Sequence, residues 1–280
     1  MTPSIKIETI TPEIAQTYLD KYFDPERQRK LEPHTVDNYA RKMRAGLWIF
    51  NPATAIVITE DGKLENGQHT LNAVIKSGVT INHQVSRGAP SAIGVMDRGR
   101  NRTTAQALAM RGETCTFEKA AIATAIFSLC AEYKAKPIGK LGEGEILVVL
   151  DTYRDEITYC MSTRSREIGI RNAPVTAACC FAMRPFQTEL KDFHNKLNTG
   201  INLSKGSPAL ACRRWLQSSA HNGSHGRLET MHVVMFCAMK HIVDQDVYAI
   251  RDTDRGFEFF TKHQVPIILK ILRSCGYLIN

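Results

Sequence analysis

Apolar residues change their spacing once along this chain, near Gly112, and that change limits the fold more than any other feature. Before it, short runs alternate apolar and polar residues between helix-like stretches. After it, alternation disappears and only longer amphipathic stretches remain. The chain is 280 residues long, enough for two modest domains that each bury a core. An α+β organisation follows: residues 1–112 form a mixed domain, and residues 113–280 a mainly α-helical one.

Within the first part, Ile5 to Ile10 alternates as a half-buried strand does. Thr11-Pro12-Glu13 reads as a helix start, with Thr as N-cap and Pro in the first turn, and the helix runs to about Phe23. After a polar break, a second helix is expected over Thr35–Ala45, ended by Gly46. Ala55–Thr59 is the clearest strand, followed by a tight turn at Glu60-Asp61-Gly62-Lys63 and a short return strand at Leu64-Glu65. A helix is expected from Thr70 to Ser77, closed by Gly78, then strands near Ile81–Ser86 and Ala92–Met96. A loop carrying Arg98, Arg100 and Arg102 leads into a helix from Thr103 to Arg111. Beyond Gly112, helices are expected over about 117–134, 143–161, 173–184, 186–197, 208–219, 227–243 and 264–274.

The junction between the short return strand and its helix carries the most chemistry. Gly67 lets backbone approach a ligand closely. The helix opening at Gln68, His69 and Thr70 presents N–H groups and a positive dipole end, which suit a phosphate. Glu65 at the strand end is placed to hold a metal or act as a base, and His69 to donate to phosphate or shuttle a proton. The plainer reading is a turn at Asn66-Gly67 with His69 making a local hydrogen bond.

The stretch from Ile56 to Ala73, centred on Leu64-Glu65-Asn66-Gly67-Gln68-His69-Thr70-Leu71, resembles the signature of the ParB/sulfiredoxin-like superfamily and its DGQHR-type members. The likeness covers about residues 5–112. It implies a ParB/sulfiredoxin-like domain in which the turn and helix start, Asn66, Gly67, Gln68 and Thr70, bind nucleotide phosphates. ATP or CTP with Mg²⁺ is the implied cofactor. Two positions depart from the pattern: Asn66 stands where the family has Asp, and Thr70 where it has Arg. Arg98, Arg100 and Arg102 are the candidates to supply the lost cation. A distal Gly206-Ser207-Pro208-Ala209-Leu210-Ala211 run before Arg213-Arg214-Trp215 resembles phage-encoded ParB-like proteins.

Net charge of +8 with a pI near 9.1 favours an acidic partner, with nucleic acid the commonest. The charge forms no block or tail, so any basic surface must be assembled by folding. Eight cysteines without a Cys-x-x-Cys spacing read as reduced, buried thiols. The start Met-Thr-Pro-Ser-Ile-Lys has no apolar signal core, and no apolar run is long enough to span a bilayer, so a cytoplasmic protein without membrane contact is expected. Arg213-Arg214-Trp215 is read as one core aromatic beside two surface charges. His221, His225, Cys237 and His241 are read as loop histidines and a core thiol rather than a zinc site. P-loop, nucleophile-elbow and zincin motifs are absent.

The expected function is therefore nucleotide binding by a ParB-like protein that acts on or near DNA. NTP hydrolysis, phosphoryl transfer or a nuclease-like role would use Glu65 and His69 as catalytic groups, and a homodimer is among the assemblies considered. Two rivals stand beside it: a non-catalytic DNA-binding or regulatory module, and a phage protein that binds and inhibits a host protein.

Overall fold

The computed structural model describes residues 3–25, 30–51, 54–91, 103–134, 141–222, 226–251 and 253–278, with the side chains of 219–222 excepted. The described residues form thirteen helices and one four-stranded mixed sheet, so the chain is α+β and mostly helical. It divides into two compact units: Met1–Asn101 with Cys275–Asn280, and Arg102–Ser274.

The first unit begins with β1 (Ser4–Ile10) and α1 (Pro12–Tyr22). Thr11 caps α1 as expected, its hydroxyl accepting from the Ile14 N–H at 3.2 Å. α2 spans Pro33–Arg44, two residues earlier than read from the sequence, because Pro33 is tolerated in a first turn. Gly46 ends it at φ +69°, with the Leu47 N–H reaching back to the Lys42 carbonyl at 2.9 Å. β2 (Ile56–Thr59), β3 (Leu64–Asn66), α3 (Gln68–Ser77) and β4 (Ile81–Ala89) complete the unit. The expected strand at 92–96 and the arginine loop lie outside the described residues.

Strand order is β1-β4-β2-β3; β1 and β3 run antiparallel to their neighbours, while β2 and β4 are parallel. Side chains alternate across the sheet. Ile10, Ile56, Ile58, Leu64, Ile81 and Val85 therefore share a buried face, covered by Ala15 of α1, Val36, Ala40 and Met43 of α2, and Leu71 and Val74 of α3. The same face carries Glu8, whose carboxylate receives both the Arg87 guanidinium and the Tyr18 hydroxyl. The Arg87 hydrogen bond holds the Glu8 carboxyl below its ordinary range. Burial and the Glu8 hydrogen bond push the Tyr18 phenol up to about 12.

Residues 275–278 belong to this unit. Arg41 donates to the Cys275 carbonyl at 2.7 Å, and its guanidinium lies 4.5 Å from the centre of the Tyr277 ring. Gly276 passes so close that a Cβ there would lie 2.7 Å from the Arg41 carbonyl oxygen.

The second unit holds α4 (Thr104–Met110), α5 (Thr116–Glu132), α6 (Glu143–Thr152), α7 (Arg154–Ser162), α8 (Ala173–Met183), α9 (Gln187–Thr199), α10 (Pro208–Asn222), α11 (Arg227–Ile242), α12 (Phe257–Thr261) and α13 (Val265–Ser274). α4, which precedes Gly112, lies in this second unit, where it buries Ala105 and Leu108 and packs on α5 and α6. Every residue from Val175 to Met183 of α8 is buried, the pattern of a helix enclosed on all sides, and α5, α7, α9 and α11 pack around it.

The expected helix over 143–161 is two helices, broken at Tyr153. This fully buried side chain donates to Gln264 Oε1 at 2.8 Å, and Gln264 in turn donates to the Phe181 carbonyl at 3.0 Å. A phenol in a core needs such a partner. Arg213 also departs from expectation: it points inward, bonded to both Glu167 carboxylate oxygens at 2.6 Å, while Arg214 is exposed and Trp215 half-buried. No described helix is long and apolar enough to cross a membrane.

Candidate functional site

The turn at Glu60–Lys63 sets the direction of the site. Gly62 takes φ +72°, and the Thr59 N–H donates to the Lys63 carbonyl at 2.9 Å, closing the β2–β3 hairpin. β3 then delivers Glu65, Asn66 and Gly67 to the start of α3.

Gly67 adopts φ +110°, ψ −2°, a conformation that L residues rarely enter. Its Cα faces β2 so closely that a Cβ would lie 2.9 Å from Ile56 Cγ1 and 3.2 Å from Ile56 Cα. Glycine is thus required twice here, by backbone angle and by contact. As N-cap it brings no side-chain acceptor to the first turn of α3, where the positive end of the helix dipole emerges.

Asn66 is exposed, and its carboxamide donates from Nδ2 to the Ala55 carbonyl at 2.8 Å. An Asp at this position would set a carboxylate against a carbonyl oxygen. The departure from the Asp of the resembled motif therefore has a local physical reason. Gln68 and His69 are buried, and Thr70 is half-buried. Glu65 is half-buried, and its Oε1 accepts from the Ser91 hydroxyl.

His69 is held by a bond that the sequence did not reveal. Its Nε2 accepts from the Glu32 backbone N–H at 3.1 Å, at the residue preceding α2. An amide N–H can only donate, so Nε2 is the acceptor in this contact. His69 thereby ties the entry of α2 to the first turn of α3. Sequence reading missed Glu32 and Ser91 as partners because a backbone amide has no side-chain signature and a lone serine has no pattern.

The structure thus brings Glu65, Asn66, Gly67, Gln68, His69 and Thr70 together at one strand–helix junction. Arg98, Arg100 and Arg102 lie outside the described residues. No group of three or more His, Cys, Asp or Glu able to hold a metal occurs among the described residues. Cys237 is buried, and His241 Nε2 lies 3.3 Å from Asp192.

A second cluster, in the helical unit, holds a thiol whose pKa is lowered although it is buried. Cys160 of α7 is hydrogen-bonded to Cys180 of α8 and to His194 of α9, and together they draw its pKa down to about 6. All three residues are buried, so the group is enclosed by its own helices.

No protein-family model, curated protein or solved structure matches the chain.

Proposed function

We propose that the first unit binds a nucleotide, with its phosphates on the first turn of α3, and that the protein acts on or near DNA. The observation that carries the reading is Gly67. Its left-handed backbone, pressed on Ile56, opens α3 without a capping side chain, and the positive end of the helix dipole at the junction suits an anion. The resemblance of residues 56–73 to the ParB/sulfiredoxin-like superfamily supports the same assignment, and the basic net charge is consistent with DNA.

Mg²⁺ usually takes one or two carboxylates and completes its shell with phosphates and water. Glu65 at the end of β3 fits that single-carboxylate role, and Mg²⁺ bound there would neutralise phosphate charge. Glu65 would otherwise serve as base toward an attacking hydroxyl or water, while Thr70 offers its hydroxyl to a phosphate oxygen. NTP hydrolysis or phosphoryl transfer is the chemistry such positioning serves. His69 acts here by orienting the turn, since its Nε2 is engaged by the Glu32 amide.

Calorimetry with ATP, CTP, GTP and UTP in the presence of Mg²⁺, with and without duplex DNA, tests the reading. Thr70→Glu is the decisive variant: an acid in the first turn suits the helix dipole yet repels phosphate. The wild type is expected to bind one nucleotide, and Thr70→Glu to lose it while remaining folded. A wild type that binds none, or a variant that binds equally, overturns the assignment.

One observation favours a second reading, a DNA-binding module without nucleotide chemistry. Thr70 stands where the resembled motif has Arg, and His69 is committed to backbone. That reading expects salt-dependent duplex binding that ignores added nucleotide.

A further inference from the structure

Among the described residues, the sheet ends in β1 on one side and β3 on the other, and the two edges are treated differently. β3 is only three residues long, one of the usual ways a sheet closes off an edge against further pairing. β1 has seven residues and pairs with β4 from Ser4 to Ile10 without a register shift. It contains no proline, glycine or bulge. Ile5 and Ile7 are 68% and 66% exposed, both on the sheet face opposite the helices. A long, regular edge strand with two exposed isoleucines is what proteins otherwise avoid unless the edge is used.

The sequence of that edge is complementary to itself. Lys6 and Glu8 flank Ile7 and, being two apart, share the helix-covered face. When two copies of Ser4–Ile10 are laid antiparallel about an axis through Ile7, Ile7 meets Ile7, each Lys6 meets Glu8, and each Ile5 meets Thr9. Opposite charges and β-branched pairs are the favoured cross-strand neighbours. Glu8 is already held ionised by Arg87, so the carboxylate is in the form that a facing lysine needs. Isologous contact of this kind closes after two copies and leaves no further edge at the joint.

We propose that β1 is a dimerisation edge: it pairs antiparallel with β1 of a second copy of this chain, with a two-fold axis at Ile7, joining two four-stranded sheets into one of eight. The proposal does not depend on what the β3–α3 junction binds. Seven residues a side make a small interface, so the association is expected in the micromolar range.

The register makes the test specific. In the full chain carrying Cys115→Ser, which removes the exposed native thiol, cysteine is placed at either Ile7 or Ile5. The paired Ile7 positions face each other at about 5 Å between Cβ atoms, whereas the Ile5 positions are four residues out of step, about 13 Å apart. Under mild oxidation Ile7→Cys is expected to give a reducible covalent dimer and Ile5→Cys a monomer. Sedimentation of the wild type is expected to show a concentration-dependent dimer. In Lys6→Glu, two like-charge pairs replace two opposite ones and weaken that dimer by about tenfold or more. A wild type that stays monomeric to about 200 µM, well above the affinity expected of a small interface, overturns the proposal, as does equal cross-linking at the two positions. Lys6→Glu dimerising as tightly as the wild type overturns the Lys6–Glu8 register.

Discussion

Gly67→Ala tests the geometry of the candidate site through stability alone. The backbone at φ +110° costs an L residue about 1–2 kcal/mol. The new methyl would then sit 2.9 Å from Ile56 Cγ1 and 3.2 Å from Ile56 Cα. Ile56 is fully buried and its Cα belongs to a paired strand, so relief requires moving β2 or α3. Overpacking of that kind costs about 1–3 kcal/mol. Alanine's lower unfolded-state entropy returns about 0.4–1 kcal/mol. The net expectation is a loss of about 1–5 kcal/mol, the sum of those contributions. Gly78→Ala is the matched control: φ is +69° with nothing within 4 Å of the added Cβ, so only the backbone contribution of about 1 kcal/mol should appear. Trp48 packs on Tyr39 in the same unit, so its fluorescence in a Trp215→Phe background follows urea unfolding of that unit. If Gly67→Ala costs no more than Gly78→Ala, the close approach to Ile56 is wrong, and the argument for a glycine-opened anion site fails with it.

Asn66→Asp is expected to destabilise the same unit by about 0.5–1.5 kcal/mol, read by the same urea midpoint, because the donor to the Ala55 carbonyl is lost. An unchanged midpoint would remove the local reason for asparagine at this position. His83 is buried in β4, which pushes its pKa below the usual 6.5. A depressed folded pKa contributes stability that is present above the unfolded value and lost as pH falls, so the midpoint should decline from about pH 6.5 downward. His83→Gln should flatten that limb, and a wild-type midpoint flat from pH 7 to about 5.5, the range in which an exposed histidine takes up its proton, contradicts the assignment. Cys115 is the exposed cysteine and the other seven are buried, so a thiol reagent should titrate one fast group in the native protein and eight after denaturation. Fast native modification of Cys160, despite its lowered pKa, would show that the helical unit opens.

What the sequence made legible was local. Thr11 caps α1, Gly46 and Gly78 close α2 and α3, and Gly62 turns the hairpin, because each such signal acts within a few residues of itself. The junction at Glu65–Thr70 was legible for the same reason: strand, glycine and helix follow one another directly. Contacts between distant segments were not. The break between α6 and α7 depends on Tyr153 meeting Gln264, 111 residues away, and nothing around Tyr153 distinguishes it from a mid-helix aromatic. Arg213 reads as a surface charge until Glu167 is brought opposite it, 46 residues off in sequence. His69 bonds to a backbone amide, which has no side-chain identity to read. α12 is five residues long, too short for helical periodicity to register.

The fastening of Cys275 to Tyr277 on Arg41 has a consequence for the order in which this protein is made. The first unit is assembled from segments on either side of the helical unit, which is translated between them. During synthesis α2 lacks the segment that seats against Arg41 until the helical unit already has all of its own sequence. The helical unit is therefore expected to be complete before the first unit is. A premature stop that spares every residue of the sheet would still leave α2 without its last neighbour.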